Sequence, residues 1–128
     1  IAAGAADIVQ PDILICGGLM EAKKIAAMAE AAYITVAPHN PMGPFSTAVS
    51  AHFALSTPNF LILEYRVDHS GPMRDLLLEP FKLVDGHLLV PDTPGLGIEL
   101  NLDAFRGRPL KKWHREFIIE SDGNIGYQ

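Results

Sequence analysis

Cysteine and long apolar runs are scarce in this sequence. Cys16 is the one cysteine among 128 residues, so an intrachain disulfide is excluded, as is a structural zinc site built on several cysteines. No apolar run approaches the roughly 18 residues that a transmembrane helix needs, and the first residues show no secretory signal. We therefore expect a protein of a reducing compartment, the cytoplasm, with no membrane partner.

Basic residues are also few. Ten Lys and Arg stand against fifteen Asp and Glu, which gives a formal net charge of -5. A nucleic-acid-binding chain usually carries a basic stripe, and the nearest candidate is a short segment containing Arg106, Arg108, Lys111, Lys112 and Arg115. In an acidic protein this segment is better interpreted as a solvated loop, so no nucleic-acid partner is predicted.

Apolar residues are plentiful, at 48% of the chain, and 11 Gly and 10 Pro punctuate them. In the first half, short β-type runs alternate with helical runs, which predicts strands at 7–9, 33–37 and 60–63 and helices at 19–32 and 45–56. The alternation favours parallel strands joined by right-handed helical crossovers. In the first helix, small and apolar residues at three-and-four spacing predict one buried face: Ala22, Ile25, Ala26, Ala29 and Ala32.

Three polar residues stand just after the ends of the three predicted strands: Asp12, His39 and Glu64. The carboxyl ends of parallel strands meet at one edge of a sheet, so these side chains are expected to gather on one rim. In a barrel of alternating strands and helices, that rim carries the chemistry. Three parallel strands alone, however, leave unpaired edges and uncovered apolar faces.

A closed barrel of eight such units takes about 250 residues. We therefore predict an α/β fold that is the C-terminal part of a (β/α)₈ barrel, with its last three strands in residues 1–66. Residues 67–128 are predicted to be a hairpin and tail that dock onto a region outside these residues. This half lacks a catalytic constellation, and its predicted elements are a short helix at 73–78, a hairpin about Asp85-Gly86, a helical turn at 101–105, and a strand at 117–119 followed by a turn at Asp122-Gly123.

Four segments carry a resemblance to a known family: Gln10-Pro11-Asp12, Pro38-His39-Asn40-Pro41-Met42-Gly43-Pro44, Leu63-Glu64, and Pro94-Gly95-Leu96-Gly97-Ile98-Glu99. With these segments the chain resembles the enolase superfamily, specifically the mandelate racemase/muconate lactonizing enzyme subgroup. Within that subgroup it is most like the sugar-acid dehydratases of the galactonate dehydratase type. The resemblance covers nearly the whole chain.

The resemblance implies a role for each of the three rim residues. His39 would be the general base, Asp12 its partner, and Glu64 the acidic residue that hydrogen-bonds the substrate or its enediolate. It also implies a sugar-acid substrate and Mg²⁺ held by upstream acidic residues, none of which is in this chain. A homo-oligomer is implied in the same way. So are an N-terminal part of the barrel and an N-terminal capping domain outside these residues, and residues 67–128 would pack on one or the other.

The reaction itself stays open at this point. An imidazole whose partner is a carboxylate suits removal of a proton next to a carboxylate group. Loss of a β-hydroxyl from the resulting enediolate gives a 2-keto-3-deoxy acid, which is the hydro-lyase reaction. Return of a proton gives a racemase or epimerase, and cycloisomerases belong to the same superfamily. A non-catalytic barrel fragment is the alternative from another class.

Simpler structural roles compete with each assignment. Asp12 has the position of a residue that caps the turn before Ile13, and Glu64 is close enough in sequence to form a salt bridge with Arg66. His52 is interpreted as a partly buried histidine with a satisfied hydrogen bond. The remaining histidines share no ligand-like spacing, so no metal is assigned to them: His69, His87 and His114.

Overall fold

A computed structural model describes residues 1–66, 73–109, 118–119, 121–123 and 125–126. The strands of these residues are short and the two α-helices have 12 residues each. In chain order the regular elements are β1 (Ile8–Val9), α1 (Leu19–Glu30), β2 (Thr35–Val36), α2 (Pro44–Leu55), β3 (Lys82–Val84), β4 (His87–Leu89), β5 (Ile118–Ile119) and β6 (Ile125–Gly126). Two short 3₁₀ helices lie at Arg74–Leu76 and Leu102–Phe105.

The first half has the predicted strand–helix alternation. β1 pairs in parallel with β2, with Val9 opposite Val36, and α1 connects the two strands. A third segment joins on the other side of β2, where Phe60 forms a parallel bridge with Val36. The parallel arrangement predicted from the sequence is therefore confirmed for these three segments.

The third strand predicted at 60–63 is wrong in length. Val36 donates to the Asn59 carbonyl and accepts from the Leu61 amide, and pairing of this segment with β2 stops there. The next donor on that side of β2 would be residue 38, and Pro38 has no N–H. Residues 61–66 consequently carry no regular secondary structure.

Each α-helix is preceded by a glycine whose backbone conformation is sterically unfavourable for any other residue. Gly18 has φ 93° and ψ -176°, and Gly43 has φ 94° and ψ -170°. Side chains that carry a Cβ are essentially excluded from this region of the backbone map. The chain therefore enters α1 and α2 through turns with the same backbone conformation.

The end of α1 departs from the prediction. The helix stops at Glu30 rather than at residue 32, and Ala32 is exposed instead of buried. Tyr33, predicted to begin a buried strand, has φ 58° and is 99% exposed. It occupies the left-handed position of a Schellman cap, because the Ile34 amide donates to the Ala29 carbonyl.

The core lies between α1, the parallel segments and α2. Ala22, Ala26 and Ala29 line the buried face of α1, as predicted. They pack with larger side chains of the strand and loop segments and of α2: Ile13, Ile34, Val36 and Phe53. The two outer parallel segments keep exposed apolar side chains: Ile8 is 44% exposed, Leu61 52% and Ile62 64%. This uncovered apolar surface was expected for three parallel strands without further neighbours.

The second half is built from local antiparallel pairs. The predicted hairpin is confirmed, with β3 and β4 on either side of Asp85-Gly86. The predicted helix at 73–78 is a 3₁₀ helix over Arg74–Leu76, and the turn at 101–105 is a 3₁₀ helix over Leu102–Phe105. β5 and β6 pair across the predicted turn at Asp122-Gly123, while Phe117 lies outside the described residues.

In the part of the chain that the structure describes, no helix has the length and apolar character needed to span a membrane. The basic segment considered above is described only at Arg106 and Arg108. Arg106 pairs with Asp103 at 3.2 Å on the surface. Its remaining members, Lys111, Lys112 and Arg115, lie outside the described residues.

Lys23 joins α1 to the C-terminal end of α2, and its removal should lower stability. Its ammonium donates to the Ser56 carbonyl and to Thr57 Oγ1, and it lies 5.6 Å from the Phe53 ring centroid. We expect Lys23→Met to lower the free energy of unfolding by about 1–2 kcal/mol, since a cation at a helix C-terminus is lost with its charge-assisted hydrogen bonds. Urea denaturation of the protein measures the change.

Lys24→Met is the matched control. Lys24 pairs with Glu21 at 2.6 Å in an exposed i,i+3 arrangement, which contributes about 0–0.5 kcal/mol. Equal destabilisation by the two substitutions would contradict the role given to Lys23.

Candidate functional site

The three predicted site residues stand at the same edge of the parallel segments. Each follows the last residue hydrogen-bonded in its segment: Asp12 follows Val9, His39 follows β2, and Glu64 follows Leu61. The structure brings His39 and Asp12 into direct contact. It connects Glu64 to the residue that follows His39.

Asp12 is buried and has two hydrogen bonds at its carboxylate. The side chain is 6% exposed; Oδ1 accepts from the Leu14 amide at 2.9 Å, and Oδ2 lies 2.9 Å from His39 Nδ1. The first bond forms an Asx turn, so the capping role considered from the sequence is present as well. One carboxylate thus fixes its own loop with one oxygen and meets the imidazole with the other.

His39 is held at one nitrogen and open at the other. An ionised carboxylate only accepts hydrogen bonds, so the neutral ring carries its proton on Nδ1 and donates it to Asp12. In this tautomer Nε2 presents a lone pair, and no hydrogen bond to Nε2 occurs within the described residues. The side chain is 48% exposed, so Nε2 is accessible to a small molecule at the rim.

Glu64 contacts the backbone of the His39 loop. Its Oε2 accepts from the Asn40 amide at 2.9 Å. The ion pairs found in the described ranges do not include one between Glu64 and Arg66, so the alternative salt bridge is not formed. Glu64 is exposed, and its carboxylate therefore faces solvent at the same edge as the imidazole.

Asn40 is a residue of this site that the sequence reasoning missed. It is 1% exposed, and its side-chain Nδ2 donates to the Glu64 carbonyl and to Thr47 Oγ1. Its sequence separation from Glu64 is 24 residues, the same as that between the bridged pair Val36 and Phe60. The equal separation could have indicated that Asn40 lies opposite Glu64. Using it, however, required knowing which residue of the third segment pairs with β2.

The described residues do not form a divalent-cation site of their own. They contain no group of three or more His, Cys, Asp or Glu side chains placed to share a metal ion. At the rim itself, the Asp12 and Glu64 carboxylates already accept hydrogen bonds from Leu14, His39 and Asn40. The Mg²⁺ implied by the resemblance therefore does not fit these residues alone.

Two other histidines have local structural contacts. His52 is partly buried and its Nε2 lies 3.1 Å from the Leu96 carbonyl, which agrees with the satisfied histidine predicted. His87 is exposed in the hairpin, with Nδ1 2.9 Å from the Asp85 carbonyl. His69 and His114 lie outside the described residues.

Comparison with known proteins gives the family. A family model described as "Enolase C-terminal domain-like" matches residues 1–104. The chain belongs to this family. The enolase resemblance inferred from the loops around Asp12, His39 and Glu64 is thereby confirmed.

Curated relatives of this enolase-type chain include two sugar-acid dehydratases. D-xylonate dehydratase from Haloferax volcanii is 44% identical over 100 residues, covering 78% of this chain and 24% of that protein. D-galactonate dehydratase from Verminephrobacter eiseniae is 35% identical over 133 residues, covering 98% and 35%. Muconate cycloisomerase 1 from Rhodococcus opacus is 37% identical over 116 residues, covering 88% and 29%.

A crystal structure of an enolase from Agrobacterium radiobacter, with bound Na and L-malate, superimposes on this chain with a TM-score of 0.83. The two are 38% identical, and the match covers 99% of this chain and 36% of that one. The fold is therefore part of an enolase-type TIM barrel. The chain spans between about a quarter and a third of the length of the curated relatives it matches.

The His39–Asp12 geometry makes a prediction about the position of one proton. In Asp12→Asn, Oδ1 keeps the Leu14 amide and the new amide group faces Nδ1 as a donor, so the neutral ring must carry its proton on Nε2 instead. We expect ¹⁵N NMR of the neutral histidines to show the Nδ1–H tautomer for His39 in the wild type and the Nε2–H tautomer in the variant.

His52 serves as the internal control in the same spectra. Its Nε2 must donate to a carbonyl, so its tautomer should be Nε2–H in both proteins. An Nε2–H tautomer for His39 in the wild type would contradict the assigned hydrogen bond.

Proposed function

We propose that this chain is the C-terminal portion of a Mg²⁺-dependent sugar-acid dehydratase, a hydro-lyase of the galactonate dehydratase type. The observation that carries the proposal is the 2.9 Å contact between His39 Nδ1 and the buried Asp12 carboxylate, which leaves Nε2 accessible at the rim. The dehydratase names of two relatives support the reaction class. The chain supplies the last three strands of the barrel in this proposal.

In the proposed reaction His39 Nε2 takes the proton on the carbon next to the substrate carboxylate. Asp12 holds the ring in the tautomer that makes Nε2 the base, and it stabilises the imidazolium that forms. The electron pair of the broken C–H bond moves into the carboxylate and gives an enediolate. Collapse of the enediolate breaks the bond to the β-hydroxyl, which takes a proton from an acid outside the described residues and leaves as water. The enol product tautomerises to a 2-keto-3-deoxy acid, and the imidazolium of His39 releases its proton to solvent.

Glu64 is proposed to hydrogen-bond the substrate or its enediolate. Its Oε2 accepts a hydrogen bond from the backbone amide of Asn40, so the carboxylate has a fixed position at the rim. A fixed partner at the reacting group needs no reorganisation during the reaction, which is the usual benefit of a preorganised site.

The Mg²⁺ of the proposed enzyme is held by residues outside the described set, since the rim residues do not form a site for it. We propose the remainder of the barrel as the partner that supplies them, in a cytoplasmic homo-oligomer without nucleic-acid or membrane partners. No step of the proton transfer above is assigned to the metal.

A racemase, epimerase or cycloisomerase is the second candidate. The relative named muconate cycloisomerase 1 favours it. The same base and partner serve racemisation and epimerisation, because these reactions, like dehydration, begin by forming an enediolate. In a cycloisomerase, a carboxylate adds to a double bond to form the enolate, and a proton is then added to carbon. Product analysis separates the two: a 2-keto-3-deoxy acid indicates dehydration, and an epimer or a lactone indicates the alternative.

His39→Asn tests the base directly. The substitution removes Nε2, and we expect exchange of the substrate's α-proton for deuterium to fall by at least about 100-fold, the usual contribution of a general base. NMR of a sugar acid incubated in ²H₂O with Mg²⁺ and the full-length protein measures the exchange.

His87→Asn is the control for this experiment, because His87 is exposed and its side-chain hydrogen bond is to the nearby Asp85 carbonyl of the hairpin, away from the rim. It should exchange at the wild-type rate. Wild-type exchange in His39→Asn would exclude His39 as the base.

The chain by itself is proposed to be inactive, because its described residues hold no metal cluster. Residues 1–128 expressed alone should give no turnover of sugar acids at any Mg²⁺ concentration, whereas the full-length protein should. Turnover by the isolated chain would contradict the proposal, while inactivity of both proteins would favour the non-catalytic fragment.

A further inference from the structure

The segment that carries Glu64 is held by one buried residue, Asn40, after its backbone pairing with β2 has ended. The last hydrogen bond of that pairing is from the Leu61 amide to the Val36 carbonyl, and Pro38 cannot donate the next. Asn40 then makes two contacts with Glu64: its backbone amide donates to Oε2 and its Nδ2 donates to the Glu64 carbonyl, each at 2.9 Å.

The orientation of the Asn40 amide is fixed by its partners. Nδ2 donates to the Glu64 carbonyl, which only accepts, and to Thr47 Oγ1 at 3.0 Å. Thr47 Oγ1 in turn donates to the Gly43 carbonyl. Both amide protons are therefore used, and they tie the Glu64 segment to the first turn of α2.

We propose that Asn40 is a positioning residue that sets the place of Glu64 relative to His39; this rests on the proposed function of both residues. His39 and Asn40 are adjacent, so any movement of the imidazole loop is transmitted to Glu64 through the Asn40 amide groups. The side chain is 1% exposed, and within the described residues its Nδ2 donates to Glu64 and to Thr47.

Asn59 provides a matched control within the same chain. Its Nδ2 also donates to two acceptors, the Ala26 and Ile34 carbonyls at 3.1 and 2.9 Å, and its Oδ1, like that of Asn40, is buried without a partner among the described residues. It lies at the opposite end of β2, beside Ile34 rather than beside His39. Asn40→Ala and Asn59→Ala therefore remove similar hydrogen bonds at two ends of one strand.

The first measurement does not depend on catalysis. Hydrogen exchange followed by mass spectrometry on the full-length protein should show residues 61–66 exchanging roughly tenfold faster in Asn40→Ala than in the wild type. The substitution removes the hydrogen bond from Nδ2 to the Glu64 carbonyl, while the bond from the backbone amide of residue 40 to Oε2 remains. Asn59→Ala should leave the exchange of that peptide unchanged. Equal acceleration in both variants, or none in Asn40→Ala, would overturn the inference.

The second measurement is a double-mutant cycle in kcat. Asn40→Ala should lower kcat roughly tenfold or more in the wild-type background but less than about twofold in Glu64→Ala, since the group that it positions is already gone. Asn59→Ala should leave kcat unchanged, which separates positioning from a general loss of stability. Additive losses in the cycle would overturn the inference.

The two proposals fail in different ways. If the wild-type protein neither exchanges the α-proton of any sugar acid nor dehydrates one, the proposed function fails, while hydrogen exchange still decides whether Asn40 holds the Glu64 segment. If the wild-type protein is active and Asn40→Ala retains its kcat, the proposed function stands and the positioning role of Asn40 is wrong.

Discussion

The backbone pairing of Val36 on both sides is the constraint on which the rim depends. β2 pairs with β1 at a separation of 27 residues and with Phe60 at 24, and the same separations recur where the side chains meet, between Asp12 and His39 and between Asn40 and Glu64. Hydrogen bonds that involve side chains thus continue the register of the sheet beyond the ends of the strands. A one-residue slip in either pairing would turn these groups to opposite faces.

Much of this arrangement is readable from local patterns. The buried face of α1 follows from the spacing of small residues, and the Asp85-Gly86 hairpin follows from turn chemistry. The meeting of Asp12 and His39 follows from a general property, that parallel strands present their carboxyl ends at one edge. These features depend on a few neighbouring residues or on topology, and both are visible in the sequence.

Other features depend on contacts that no local pattern specifies. Tyr33 looks like the start of a strand, yet it accepts a left-handed conformation because Ile34 gains a hydrogen bond to Ala29 and a place in the core. The third strand is shortened by Pro38, which lies on its neighbour rather than on the strand itself. Asn40 was overlooked for the same reason, since its partner Glu64 is set by register between segments far apart in sequence.

The two helix-entry glycines have a consequence for how the rim loops can change. Gly18 and Gly43 occupy backbone conformations closed to residues with a Cβ, although the space around Gly18 is open. The two rim loops that carry Asp12 and His39 therefore run between a strand with a fixed register and a helix entry with a fixed backbone conformation. Changes in specificity at this edge are then expected to arise by exchanging side chains within loops of constant length, and insertions are expected to be accepted elsewhere.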